Sequence, residues 1–155
     1  MAKNLEEAKM EIERRLENGS ALKKFESMII QQGVESAVAK ELCSGDIWKV
    51  LPKANHTTTL NSPKTGYISN INALDIANSC WYLGAGRSRA GDPIDYSVGV
   101  RFLKVVGDQI NENEPWIEVH HKDLKLKKDI EELIKNSLTI STGNIAQTSR
   151  IIEIL

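Results

Sequence analysis

The spacing of apolar residues changes at Pro52, and this change constrains the fold more than any other feature of the chain. Before it, Leu5, Ala8, Ile12 and Leu16 recur at helical spacing, as do Leu22, Phe25, Met28 and Ile29. A period of about 3.6 residues puts such positions on one stripe of a helix. Asn4 with Glu7 forms an N-cap and N3 pair, and Asn18-Gly19 closes the first helix because glycine accepts the left-handed conformation. Ser20 is expected to cap a second helix, with Gly33 as its stop, and a third helix is expected over residues 36–43. Residues 1–45 thus read as an antiparallel helical hairpin and a half.

After Pro52 the chain takes on strand character. "HTTTL" is rich in β-branched residues, "NSPKTG" is a turn cluster, and "YISNI" alternates, so a hairpin is expected. Asn72 and Asp75 open a helix that runs through Leu83 and ends at Gly84. "VGVRFLKV" then supplies a strand, "GDQINENEP" a turn region and "WIEVHH" the next strand. Leu126, Ile130, Leu133, Ile134 and Leu138 line one face of a helix expected over residues 124–138, and "RIIEIL" reads as a closing strand. This order predicts an α+β domain over residues 46–155, preceded by the helical segment 1–45.

Composition narrows the functional classes. The chain has 155 residues, 41% hydrophobic and 26% charged, which is a globular balance sized for one domain or a compact domain with a helical attachment. With aromatics at only 5%, the core must rest on Ile, Leu, Val and Ala. A net charge of −1 gives no general electrostatic ground for nucleic acid or an anionic membrane as partner. No apolar run approaches the roughly 20 residues that span a bilayer, and the first residues are charged and helical rather than a signal peptide. Cys43 and Cys80 form no CxxC pair and read as buried free thiols of a cytoplasmic protein.

The stretch "YLGAGRSRAGDPIDYSVGV", residues 82–100, is the one place where glycines and arginines gather. It follows a helix C-terminus, where the dipole favours cations, so it is not a helix-cradled phosphate site. Arg87, Ser88 and Arg89 remain candidates for a loop that closes on a cleft, touching phosphate or an acidic edge. The alternative is an exposed loop fixed by Asp92 or Asp95. Those two acids read as turn and cap residues rather than an acid/base couple. His120 and His121 are adjacent on a strand, face opposite sides and cannot readily share a metal. Trp81, Tyr82 and Trp116 read as core, and "KDLKLKKD" as the solvated face of a helix. No catalytic residue and no metal ligand is assigned in this chain.

Four segments in register resemble the C-terminal part of the thymidine and pyrimidine nucleoside phosphorylases. They are "GSALKKFESMIIQQG" (19–33), "TGYISNINALDIA" (65–77), "LGAGRSRAGDPIDYSVGV" (83–100) and "VGDQINENEPWIEVHH" (106–121). The "GRSRAGDP" loop is most similar to animal thymidine phosphorylases. The resemblance covers roughly residues 4–125 and implies an α/β-hammerhead C-terminal domain behind the end of a mainly helical region. Two departures stand out. Val34 follows Gly33 where the family shows a second glycine, and Asn113 replaces a turn glycine. Asn tolerates the left-handed conformation, so that turn is expected to survive.

The family cleaves pyrimidine nucleosides with inorganic phosphate, a pentosyl transfer giving free base and a pentose 1-phosphate; phosphate is its co-substrate and no cofactor is implied. The resemblance places the phosphate loop, of the "KHSTGG" kind, and the base-binding Arg, Ser and Lys set upstream of these segments. His56, His120 and His121 are the only histidines, none in a Lys-His-Ser context. The chain opens with "MAKN" before a helix that belongs late in the family's sequence, so a C-terminal fragment or separately expressed domain is expected, inactive by itself. Its implied partner is an N-terminal catalytic portion within a homodimeric parent. Two alternatives are a detached scaffold module and a biotinyl- or lipoyl-type carrier. The carrier arises because "VGDQINENEPWIEV" is similar to a carrier turn, but Met1, Met10 and Met28 flank no candidate lysine.

Overall fold

A computed structural model describes residues 3–145, which divide into two compact units, Met1–Pro52 and Lys53–Leu155. The first unit is helical: α1 Leu5–Glu17, α2 Ser20–Gln31, α3 Ser36–Ser44 and a 3-10 turn Ile47–Lys49. The boundary follows the change in residue pattern at Pro52, so residues 46–52 go with the helices. Local bonds hold them there: Asp46 caps the 3-10 turn through Trp48 N–H at 3.0 Å, and Lys49 pairs with Glu41 at 3.2 Å.

Capping chemistry fixes the helix ends. Asn4 Oδ1 accepts from Glu7 N–H at 2.8 Å, and Gly19, with φ of 73°, takes the left-handed turn between α1 and α2. Ser20 does not cap α2; it is already the first helical residue, behind Gly19. Among the described residues of this unit only Ile29 and Ala39 are buried hydrophobics, while Leu5, Ile12, Leu16, Phe25 and Met28 are exposed.

Among the described residues of the second unit, two three-stranded sheets share one core. The strands are β1 His56–Asn61, β2 Gly66–Ile71, β3 Gly99–Phe102, β4 Gln109–Ile110, β5 Pro115–His121 and β6 Leu138–Ser141; the helices are α4 Ala73–Cys80 and α5 Lys128–Ser137. One sheet has the order β1-β5-β3 and the other β4-β2-β6, with every pairing antiparallel. β5 is central, so Trp116 and Ile117, on opposite faces, are both fully buried. Leu60, Trp116, Ile117 and Val119 from the first sheet meet Ile68, Ile110 and Ile140 from the second. Ile76 of α4 and Ile130 and Ile134 of α5 complete this core with Leu126. It is aliphatic with a single tryptophan, as the low aromatic content requires.

The expected hairpin of residues 56–71 does not form. β1 pairs with β5 in one sheet, and β2 pairs with β4 and β6 in the other. Ser62 explains the divergence: its N–H donates to Glu114 O at 2.8 Å and its carbonyl accepts from Asn113 N–H at 2.9 Å, tying the turn cluster to the start of β5. Gly66 permits β2 to lie close to β6, since a Cβ there would stand 2.4 Å from Ser141 O. The turn region 107–115 contains β4. α5 begins at Lys128 rather than residue 124, because His121 Nδ1 donates to Asp123 O at 2.8 Å and holds a turn there, leaving Leu124 exposed. Leu138 is the first residue of β6, not the last of the helix. The strand expected at "RIIEIL" lies outside the described residues. Mixed helix and antiparallel sheet make the unit α+β.

Cys43 and Cys80 are both free and half-buried, and burial pushes the Cys80 thiol up from its ordinary range. No helix among the described residues is long and apolar enough to cross a membrane.

Candidate functional site

The loop carrying Arg87, Ser88 and Arg89 grows out of the C-terminal end of α4. Asn72 caps that helix by accepting from Leu74 N–H at 3.0 Å, and the chain leaves it through a π-turn, Trp81–Ala85. Gly84 makes this exit possible: its φ of 112° is closed to most side chains. Gly86 follows beneath the Trp81 ring, where a Cβ would come within 2.3 Å of Trp81 Cδ1.

Two aspartates then fix the loop. Asp92 Oδ2 accepts from Arg89 N–H at 2.7 Å and Ser88 N–H at 3.1 Å, so it folds the loop onto itself. Asp95 closes the base, its N–H donating to Gly84 O at 2.9 Å. Its carboxylate accepts from Ser97 N–H at 3.0 Å and Ser97 Oγ at 2.7 Å, and pairs with Lys122 Nζ at 2.8 Å. Lys122, then Ser97, hold the Asp95 carboxyl down to about 2. Both acids therefore serve the turn, each with its own partners. The Arg87 and Arg89 side chains are exposed and have no partner among the described residues.

Trp81 and Tyr82 are not core. They are 41% and 58% exposed and meet edge to face at 4.9 Å beside the loop, because the π-turn lifts them off the helix face that Ile76 buries. Trp116 alone fits the core reading. The loop base thus presents two aromatic rings with two free guanidiniums beyond, a juxtaposition that composition-based reasoning misses. The only sequence signal for it was the Gly84-x-Gly86 pair after the aromatics. Lys122 was also missed, since "KDLKLKKD" lies mostly ahead of α5 and one of its lysines anchors Asp95.

The histidines do not form a centre. His121 is buried, with Thr58 Oγ1 2.7 Å from Nε2 and Asp123 O 2.8 Å from Nδ1. A carbonyl only accepts, so Nδ1 carries the proton and Nε2 accepts the Thr58 hydroxyl. His120 points to the other face, 3.5 Å from Thr57 Oγ1. Among the described residues no three His, Cys, Asp or Glu side chains are grouped to hold a metal. The β4–β5 turn, Asn111–Glu114, contains no lysine of the kind a carrier would modify. Asn113 in that turn has φ of 64°, the left-handed conformation expected of it.

Residues 67–141 match the pyrimidine nucleoside phosphorylase C-terminal domain. That stretch of the chain belongs to this domain family. The chain is 36% identical over 129 residues to a thymidine phosphorylase of Homo sapiens, covering 81% of this chain and 27% of the relative. It is 30% identical over 150 residues to a pyrimidine-nucleoside phosphorylase of Staphylococcus aureus, covering 95% of this chain and 32% of the relative. A third, from Staphylococcus haemolyticus, is 33% identical over 134 residues, with 86% and 29% covered. The chain therefore spans about a third or less of the length of these curated relatives. The matched domain includes the whole arginine loop and both of its anchoring aspartates.

Proposed function

We propose that this domain serves a phosphorylase that splits pyrimidine nucleosides with inorganic phosphate, and that it contributes a closing loop rather than the catalytic centre. The observation that carries the reading is the loop itself: Arg87 and Arg89 stand exposed and unpaired on a frame locked by Asp92, Asp95 and Lys122. A backbone fixed in advance lets two guanidiniums meet an anion or an acidic edge without first ordering the loop. Catalysis itself is assigned to an N-terminal portion of the kind found in the longer relatives, with phosphate as co-substrate and no cofactor. A cytoplasmic homodimer is the setting that suits such a parent.

The test is the double change Arg87→Ala, Arg89→Ala in a full-length protein carrying this domain. Loss of a charge-assisted contact lowers kcat/KM about ten- to hundredfold. In the present chain the same change leaves the melting temperature nearly unaltered, since exposed loop charges contribute little. A wild-type kcat/KM would reduce the loop to a connector.

A further inference from the structure

A pocket of about 190 Å³ lies in the sheet unit between the π-turn Trp81–Ala85, the end of β5 and the turn that leads into α5. Its lining is apolar where it meets the core: Leu126 and Ile130 are buried and Leu83 is half-buried. Its exposed residues are mostly cationic, Lys122, Lys125 and Lys127 along the turn, with Tyr82 beside them.

The polar groups differ in what already holds them. His121 is bonded at both ring nitrogens, to Thr58 and to Asp123 O, and keeps no polar atom for a ligand. Lys122 is held by Asp95 at 2.8 Å. Lys127 and Asp123 pair at 3.7 Å, beyond hydrogen-bond reach. Lys125 has no hydrogen bond or ion pair among the described residues. The two carboxylates thus offset two of the three ammonium groups, and one positive charge is left over.

An apolar lining beside one uncompensated cation suits a ligand with an apolar body and a single negative charge. Size sets the body. A cavity of about 150 Å³ holds benzene, and drug-sized ligands need about 300 Å³ or more. A pocket of about 190 Å³ therefore fits one ring with a small head group. A phosphate monoester, with close to two charges, would call for a second free cation.

We propose that this pocket binds a single-ring aromatic carboxylate. Its ring lies against Leu83, Leu126 and Ile130, and its carboxylate accepts a charge-assisted hydrogen bond from Lys125. The site uses neither Arg87 nor Arg89 and stands whether or not their loop closes on a cleft.

The probe is sodium benzoate, titrated into the full chain carrying ¹³C-labelled isoleucine methyl groups, with chloride holding the ionic strength constant. Ile130→Val removes one δ1 methyl signal and so assigns it. The expected result is a saturable shift of the Ile130 methyl, with benzyl alcohol and acetate each binding at least about tenfold more weakly than benzoate. Lys125→Met keeps most of the exposed stem and removes the charge. It should weaken benzoate about tenfold, the effect of one charge-assisted contact discounted for solvent, while Lys125→Arg retains binding. An Ile130 methyl that stays in place up to the solubility limit of benzoate overturns the proposal. So does an affinity unchanged in Lys125→Met, or benzyl alcohol or acetate binding as tightly as benzoate.

Discussion

Asp95 joins three pieces of the sheet unit: Gly84 through its N–H, Ser97 through its carboxylate and Lys122 through an ion pair. Its carboxyl is held at about 2, below the ordinary 3.8, so its contribution is complete above pH 4 and is lost as pH falls through about 2. The full difference corresponds to about 2 kcal/mol, but Lys122 is largely solvated and the realised value is about 1 kcal/mol. Asp95→Asn should therefore lower stability at pH 7 and flatten its fall between pH 4 and pH 2, as read by urea unfolding at each pH. An unchanged acid slope would show that other carboxylates govern that window. At this scale the sequence was legible where a residue's role is set by its own chemistry. Asn113 in the left-handed region, Asn4 as a cap and Asp92 in a turn are all of this kind. Trp81 and Tyr82 were misread, because their exposure depends on a π-turn that no local pattern announces.

Elements were legible in type more than in pairing. The helices carry caps and a 3.6-residue stripe within a single segment, so α1, α2, α4 and the centre of α5 could be placed from neighbours alone. β1 pairs with a strand some 60 residues away, His56 opposite His121 and Leu60 opposite Ile117. A local rule that joins strands across "NSPKTG" has no access to the Ser62 bonds that break the hairpin. The frame of α5 makes a sharp test. Ile134 is fully buried and Leu124 is 80% exposed, although both were placed on one helix. Ile134→Ala should cost about 2–5 kcal/mol by leaving a cavity, and Leu124→Ala less than about 0.5 kcal/mol. Equal losses in denaturant unfolding would mean that the helix extends through Leu124.

At the scale of the whole molecule, the two units have unequal means of holding themselves together. The sheet unit encloses a continuous aliphatic core, while the helical unit buries only Ile29 and Ala39 among its described hydrophobics and exposes a stripe from Leu5 to Met28. Exposed stripes of this kind favour association with a partner. Amides of β2, β5 and α5 should exchange hydrogen more slowly than those of α1 and α2, since local stability follows buried apolar contact. Equal protection in a strict monomer would contradict this. The central claim is that this chain forms a family domain with a closing loop and leaves the chemistry to residues elsewhere. Phosphorolysis by the purified chain, cleared of host enzyme, tests it most directly. The account predicts no release of thymine from thymidine above background with phosphate present, and phosphate-dependent release would contradict it.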